Sequence, residues 1–220
     1  MNNVLIIGAH SDDCEISCSG AAALHAIQGD NVHMVVMTSS KSIDGTTTKV
    51  LRTIKQLHEE TEKSRKLIGC KSLDFLPFTD LNLPFNFESV SRLDSLIKTY
   101  NIDTIYTHYE YDSNQDHIAA CKITMAAARY VPNVYCYPQI PIPRLYTRHF
   151  APNYYVDITD TFETKLAASR CHVSQMKKYK AIGFDVIKNL TVAAEFYGLS
   201  CNVKYAEAFY IVKQVNYGNR

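Results

Sequence analysis

Val4-Leu5-Ile6-Ile7-Gly8-Ala9-His10-Ser11-Asp12-Asp13-Cys14-Glu15 opens the chain with an apolar run that stops at a glycine and empties into one histidine and three acids. Continuous Val/Leu/Ile runs mark strands buried on both faces of a parallel sheet, and open α/β sheets bind ligands at the carboxyl ends of such strands. Ionisable groups crowded at that mouth need a compensating positive charge. A divalent metal supplies one, because carboxylate and imidazole are its ordinary protein ligands. The competing reading is a polar helix start with Asp12 or Asp13 as N-cap.

Thr107-His108-Tyr109-Glu110-Tyr111-Asp112-Ser113-Asn114-Gln115-Asp116-His117 repeats the arrangement downstream. It follows a strand-like run, Asp103-Thr104-Ile105-Tyr106, and precedes a helical stretch from Ile118 to Arg129. Two strand ends of one parallel sheet can face each other across a crevice, which brings His10 and Asp13 toward His117. Two imidazoles and one carboxylate match the ligand count of a catalytic zinc site with a position left for water. Either cluster alone is a weak signal; the pair in matching context is a strong one.

At these residues the chain resembles the PIG-L/LmbE deacetylases. His10-Ser11-Asp12-Asp13-Cys14-Glu15 is similar to the family's AHPDDE opening, with Ser11 where proline is usual and Cys14 inserted before Glu15. Asn114-Gln115-Asp116-His117 is similar to the second motif, HPDH, and Thr107-His108 to the TH pair before it. His172-Val173-Ser174-Gln175 resembles the HxSQ of a late helix, and Tyr205-Ala206-Glu207-Ala208-Phe209 the closing strand. The matches run in family order along nearly the whole chain, so residues 1–220 are expected to form a single PIG-L/LmbE-like domain.

The resemblance implies a zinc-dependent hydrolase that removes an N-acyl group, usually acetyl, from an amino sugar or sugar conjugate. His10, Asp13 and His117 would then be the metal ligands, holding one Zn2+ per chain with Fe2+ as the alternative, and Asp12 the general base acting on a zinc-bound water. Asp116 is placed to orient an imidazole ligand. Glu15 either does the same or favours the N-terminus of the following helix. Two departures stand out. Asn114 occupies the position of a histidine, and an amide cannot give up a proton; the acid then falls to Asp12 itself, His108 or His172. If Glu60 is the family's glutamate on the next helix, Leu57 stands where an arginine is common.

Composition agrees with an enzyme of this size. The chain has 220 residues, 46% hydrophobic and 20% charged, with a net charge of +1, which gives no sign of a nucleic-acid partner. No apolar segment approaches the roughly 20 residues of a membrane span, and the first strand leaves no room for a signal peptide. Seven cysteines without a CxxC pattern suggest free thiols in the cytoplasm, with Cys14 and Cys18 as small buried residues. The expected partner is a small N-acylated sugar, and self-association into a homo-oligomer is compatible with the sequence.

Strand-like and helix-like stretches alternate, the sign of an α/β fold: a Rossmann-like, mostly parallel sheet with helices on both faces. Helices are expected over Glu15 to Gly29, Lys49 to Ile68 and Phe87 to Tyr100, and from Thr161. Further strands are expected at Asn31 to Met37, Leu73 to Leu76, Ile102 to Tyr106 and Tyr154 to Ile158, with a last one around Phe209 to Val212. Pro132, Pro138, Pro141 and Pro143 predict an edge strand and an irregular loop, in which Arg144, Arg148 and His149 either meet substrate or are merely solvated. A zinc amidase or deformylase acting on another acylated amine is the nearest rival. A noncatalytic metal-dependent sugar-binding protein is another, opposed by the retained Asp12. A nucleotide-binding Rossmann protein is opposed by the missing GxGxxG.

Overall fold

The apolar run at the N-terminus forms β1 (Asn3–Gly8), buried from Val4 onward. Its alternate side chains feed two separate cores, as expected for a strand covered on both sides. Leu5 and Ile7 pack with Leu93, Ile97 and Ile123 on one face, while Val4 and Ile6 pack with Ala21, Ala22 and Ala168 on the other. The computed structural model describes residues 1–40, 42–43, 50–139 and 149–216.

After β1 come α1 (Asp13–Ser17), α2 (Ser19–Ile27), β2 (Asn31–Thr38), β3 (Ser42–Ile43), β4 (Val50–Arg52), α3 (Ile54–Ile68), β5 (Ser72–Phe78) and α4 (Phe87–Thr99). Then follow β6 (Thr104–His108), α5 (Gln115–Ala127), β7 (Asn133–Tyr137), β8 (Tyr154–Asp157), α6 (Phe162–Arg170), α7 (Val173–Ala181), α8 (Val186–Cys201) and β9 (Ala206–Lys213). Seven strands form one sheet in the order β5-β2-β1-β6-β7-β9-β8. Strands β5, β2, β1, β6 and β7 pair in parallel, and β9 runs antiparallel to both β7 and β8. This is the expected single α/β domain with a mostly parallel sheet. Among the described residues no helix is long and apolar enough to cross a membrane.

Three local expectations are corrected. The strand after Val131 is interior, because β9 returns beside it; Pro132 and Pro138 flank β7 and remove no donor from its ladder. The stretch from Lys49 is a short ribbon before it is a helix: β4 pairs with β3, and the helix begins only after Thr53, whose hydroxyl caps it in a reciprocal box with Gln56. The helix expected over Glu15 to Gly29 is two helices broken at Cys18, whose φ is −136°. Pro141, Pro143, Arg144 and Arg148 lie outside the described residues; His149 is exposed.

The break at Cys18 exposes carbonyls at the end of α1 and N–H groups at the start of α2, and one buried ion pair satisfies both. Glu207 accepts from the amides of Gly20 (2.9 Å) and Ala21 (2.8 Å). The Lys165 ammonium donates to the Ile16 carbonyl (2.7 Å) and to Glu207 (2.6 Å). Negative charge at a helix start and positive charge at a helix end are each favourable, so α6 and β9 are fastened to the helices that carry the first motif. Lys165→Met should leave Glu207 charged and unpaired in the interior, a loss of about 3–5 kcal/mol. Urea unfolding of the variant measures it; a change under about 1 kcal/mol would show that the pair is dispensable.

Candidate functional site

Strands β1 and β6 are neighbours, so the segments that leave their carboxyl ends emerge side by side. Gly8 ends β1 because the chain folds back sharply there. A Cβ at Gly8 would lie 2.8 Å from the His10 carbonyl oxygen and 3.2 Å from the Asp13 Cβ. The second segment re-enters a helix at α5, where the Asn114 side chain caps the start by accepting from the Asp116 amide at 2.8 Å. That cap sets His117 in the first turn of α5, facing the first segment.

Three donor atoms converge as a result. His10 Nδ1 lies 3.3 Å from Asp13 Oδ2, His117 Nε2 lies 3.3 Å from His10 Nδ1, and His117 Nε2 lies 3.5 Å from Asp13 Oδ2. Ligands on a tetrahedral ion at bonds of about 2.0–2.1 Å are separated by about 3.3 Å, so this triangle has the dimensions of one tetrahedral face. The residues fit a divalent ion, and they are the set of His, Cys, Asp and Glu side chains that could hold one among the described residues.

Each donor is oriented from behind. Asp116 Oδ2 lies 3.1 Å from His10 Nε2, and Asp112 Oδ2 lies 2.7 Å from His117 Nδ1. The His10 amide donates to Asp13 Oδ2 at 2.7 Å. Partners on the far ring nitrogen fix tautomer and direction for metal binding. Burial opposes a charge on His10, but Asp13, Asp116 and Asp80 outweigh it and push its pKa up to about 10. Burial likewise resists ionisation of Asp13, yet His117, His108 and His10 hold its carboxyl well below the usual range. The cluster therefore attracts positive charge.

The remaining residues singled out in the sequence separate into two groups. Asp12, next in the chain to Asp13, is buried at the start of α1, and its side chain makes no capping hydrogen bond to that helix, which removes the capping reading for it. His108 lies behind the triangle: its Nε2 accepts from the Ala9 amide at 2.9 Å, and its ring stacks on His117 at 4.0 Å. Burial, reinforced by His117, lowers its pKa to about 4. Glu15 turns away from the ligands and meets His172, with Oε1 3.0 Å from Nε2, and the Ser64 hydroxyl donates to it. Both Glu15 and His172 are fully buried.

The HxSQ-like segment thus docks α7 rather than lining the mouth. Ser174 donates from its amide (2.9 Å) and hydroxyl (2.6 Å) to Glu60. Gln175, with its amide oxygen turned inward, accepts from the Arg52 guanidinium at 3.0 and 3.2 Å. Arg52 also donates to Ser11 Oγ at 2.8 Å while only 2% exposed. Sequence reasoning missed Arg52, which lay inside the stretch taken as one helix, and missed Asp112, one acid among several in its segment. Leu57 is buried in the interior. One further acid stands at the rim: Asp80 Oδ1 is shielded from water and has no hydrogen-bond partner among the described residues.

Comparison with known proteins places this geometry. The family profile described as GlcNAc-PI de-N-acetylase (PIG-L) matches residues 5–128. The chain is 33% identical over 180 residues to the uncharacterized deacetylase YaiS of Escherichia coli K12, covering 78% of this chain and 90% of that protein. It is 27% identical over an alignment of 231 residues to diacetylchitobiose deacetylase of Thermococcus kodakarensis, covering 96% and 84%. In fold it superposes on GalB, the 4-carboxy-2-hydroxymuconate hydratase of Pseudomonas putida KT2440, with a TM-score of 0.82, 22% identity and 100% of both chains covered.

The charge on His10 has a measurable consequence. Its proton stabilises the metal-free fold below the ordinary histidine value near 6.5, and this contribution fades as pH rises through about 10. A metal must displace that proton, so zinc titrated into metal-free protein near neutrality should release about one proton per chain from His10. Apparent affinity should rise with pH. Calorimetry in buffers of different ionisation enthalpy reads the release; a buffer-independent heat would show that His10 carries no proton in the metal-free protein at that pH.

Proposed function

The chain belongs to the GlcNAc-PI de-N-acetylase (PIG-L) family, and from this membership and the His10–Asp13–His117 triangle we propose a metal-dependent hydrolase that removes an N-acyl group, acetyl first, from an amino sugar or sugar conjugate. The observation that carries the proposal is the triangle of donors, with the next residue in the chain, Asp12, buried and making no capping bond to its helix. Asp80 supports a hydroxyl-bearing substrate, since its bare Oδ1 needs a donor. The seven free cysteines support the cytoplasmic location expected from the sequence.

When bound by His10, Asp13 and His117, a divalent ion, zinc first, supplies Lewis acidity toward the amide carbonyl and brings the pKa of water to about 7. Asp12 takes the proton from the attacking water. The water oxygen bonds to the amide carbon, the C–N bond then breaks, and the same carboxyl returns that proton to the leaving nitrogen, giving an amine and a carboxylic acid that ionise to ammonium and carboxylate. Asp12 serves both transfers because neither histidine is placed to do so. His108 spends its Nε2 on the Ala9 amide, and His172 is sealed in the interior against Glu15. His172 instead positions the first motif through Glu15. Asn114 anchors its oxygen on α5, which leaves its amide N–H groups to donate to substrate.

Hydration, the reaction in the name of GalB, uses the same fold, so the architecture alone does not choose between adding water to an amide and to an alkene. The closer relatives named as deacetylases favour the amide. A noncatalytic sugar-binding role has no use for Asp12 in this setting.

Asp12→Asn should keep its metal and lose roughly 10²–10⁴-fold in kcat. Asp13→Ala should instead lose metal. Amine release from N-acetylglucosamine and N,N'-diacetylchitobiose, measured together with metal content, separates the two effects. Turnover of Asp12→Asn near the wild-type rate would overturn the base assignment, and no amine release from any N-acyl sugar would overturn the proposed reaction.

A further inference from the structure

The loop between β5 and α4 is bound to the metal-ligand cluster through a single carboxylate. Asp116, which orients His10 through Oδ2 at 3.1 Å, accepts the Leu81 amide on that same oxygen at 2.5 Å and the Leu83 amide on Oδ1 at 3.1 Å. The Leu81 carbonyl in turn accepts from Gln115 Nε2, and Ser40 Oγ accepts from the Asp80 amide at 3.3 Å. Leu81 is thus pinned on both sides of its Cα, one hydrogen bond removed from the partner of His10.

Its conformation is unusual for a leucine. The φ of Leu81 is +64°, in the left-handed region that glycine or asparagine enters without strain. Its side chain is 69% exposed, while Leu83, two residues on, is buried. The fold therefore bears a strained backbone and a bare apolar side chain at the rim of the cluster, and gains no packing from either. Backbone strain of this kind concentrates at ligand-contacting positions.

We propose that Leu81 is a specificity-determining residue that closes over the acyl part of the bound substrate and limits the length of its acyl chain. The inference rests on the N-acyl hydrolase reading above. In that reaction the carbon under attack lies against the His10–Asp13–His117 triangle, and in this reading its acyl substituent extends toward the loop that Asp116 ties to His10. A leucine offers only apolar contact. The hydroxyl-lined edges of a sugar would lose hydrogen bonds against it, whereas the acyl group is the part of the substrate beside the reacting bond that has no hydroxyl. The neighbouring Asp80 carries the polar half of the recognition from the same loop.

Leu81→Gly and Leu81→Asn both suit a φ of +64°, so neither endangers the fold. With the metal-loaded enzyme, kcat/KM for N-acetyl-, N-propionyl- and N-butyrylglucosamine is measured by amine release. Wild type should favour acetyl, and Leu81→Gly should raise the butyryl-to-acetyl ratio by about tenfold or more, with metal content unchanged. The same three amides are titrated against Asp12→Asn holoenzyme with and without Leu81→Gly, which reads the acyl preference as dissociation constants independently of turnover. Unchanged ratios, no binding of any of the three, or loss of metal in Leu81→Gly overturn the role given to Leu81. If wild type releases no amine but Leu81→Gly still alters the binding ratios in the Asp12→Asn background, Leu81 is supported and only the reaction is overturned.

Discussion

Carboxylates buried against imidazoles are the constraint around which this molecule is organised. Asp13, Asp112 and Asp116 are all nearly inaccessible, and an ionised carboxylate in such a place is strongly unfavourable unless its oxygens are occupied. Asp116 reaches across the gap between two strand ends to His10, Asp13 sits between both rings, and Asp112 holds His117 from within the second segment. The arrangement satisfies every member only if β1 and β6 are adjacent and in register, so the chemistry of the centre and the topology of the sheet impose the same requirement. The surplus of negative charge that remains is what a cation would neutralise.

Away from the centre, polar groups in the interior tie the last third of the chain to the first motif. The Lys165–Glu207 pair bridges the break between α1 and α2, and the segment from His172 to Gln175 reaches Glu15, Glu60 and Arg52 with successive side chains. Arg52 also binds Ser11, where the related family motif has proline. A proline stiffens the backbone covalently; here a buried guanidinium does a comparable job through a hydrogen bond, and it comes from the ribbon rather than from the α3 position held by Leu57.

The parts of this structure legible in the sequence are those with local signatures. Continuous apolar runs announced β1, β2 and β6. The strand-end clusters predict that His10, Asp13 and His117 meet, and these three side chains converge in the fold. Asp112 was hidden because several acids share its segment and only the ring geometry of His117 selects among them. The ribbon was hidden because three residues, Val50 to Arg52, carry too little pattern to stand against the helix that follows them. The interior place of β7 depends on β9, a partner far away in sequence, and no local rule about proline at edges could reveal it.

The ring nitrogens that face each other across the centre belong to residues 107 positions apart in the chain. Bringing such distant groups together is entropically demanding in an unfolded polymer, and parallel pairings of this kind form slowly because nothing local stabilises them beforehand. An ion held by these residues would therefore not seed folding, as it does in small zinc modules whose ligands are close neighbours. It would meet donors that the sheet has already brought together and add its binding energy by mass action on the native state alone. A newly made chain must bring β1 beside β6 before these donors can meet.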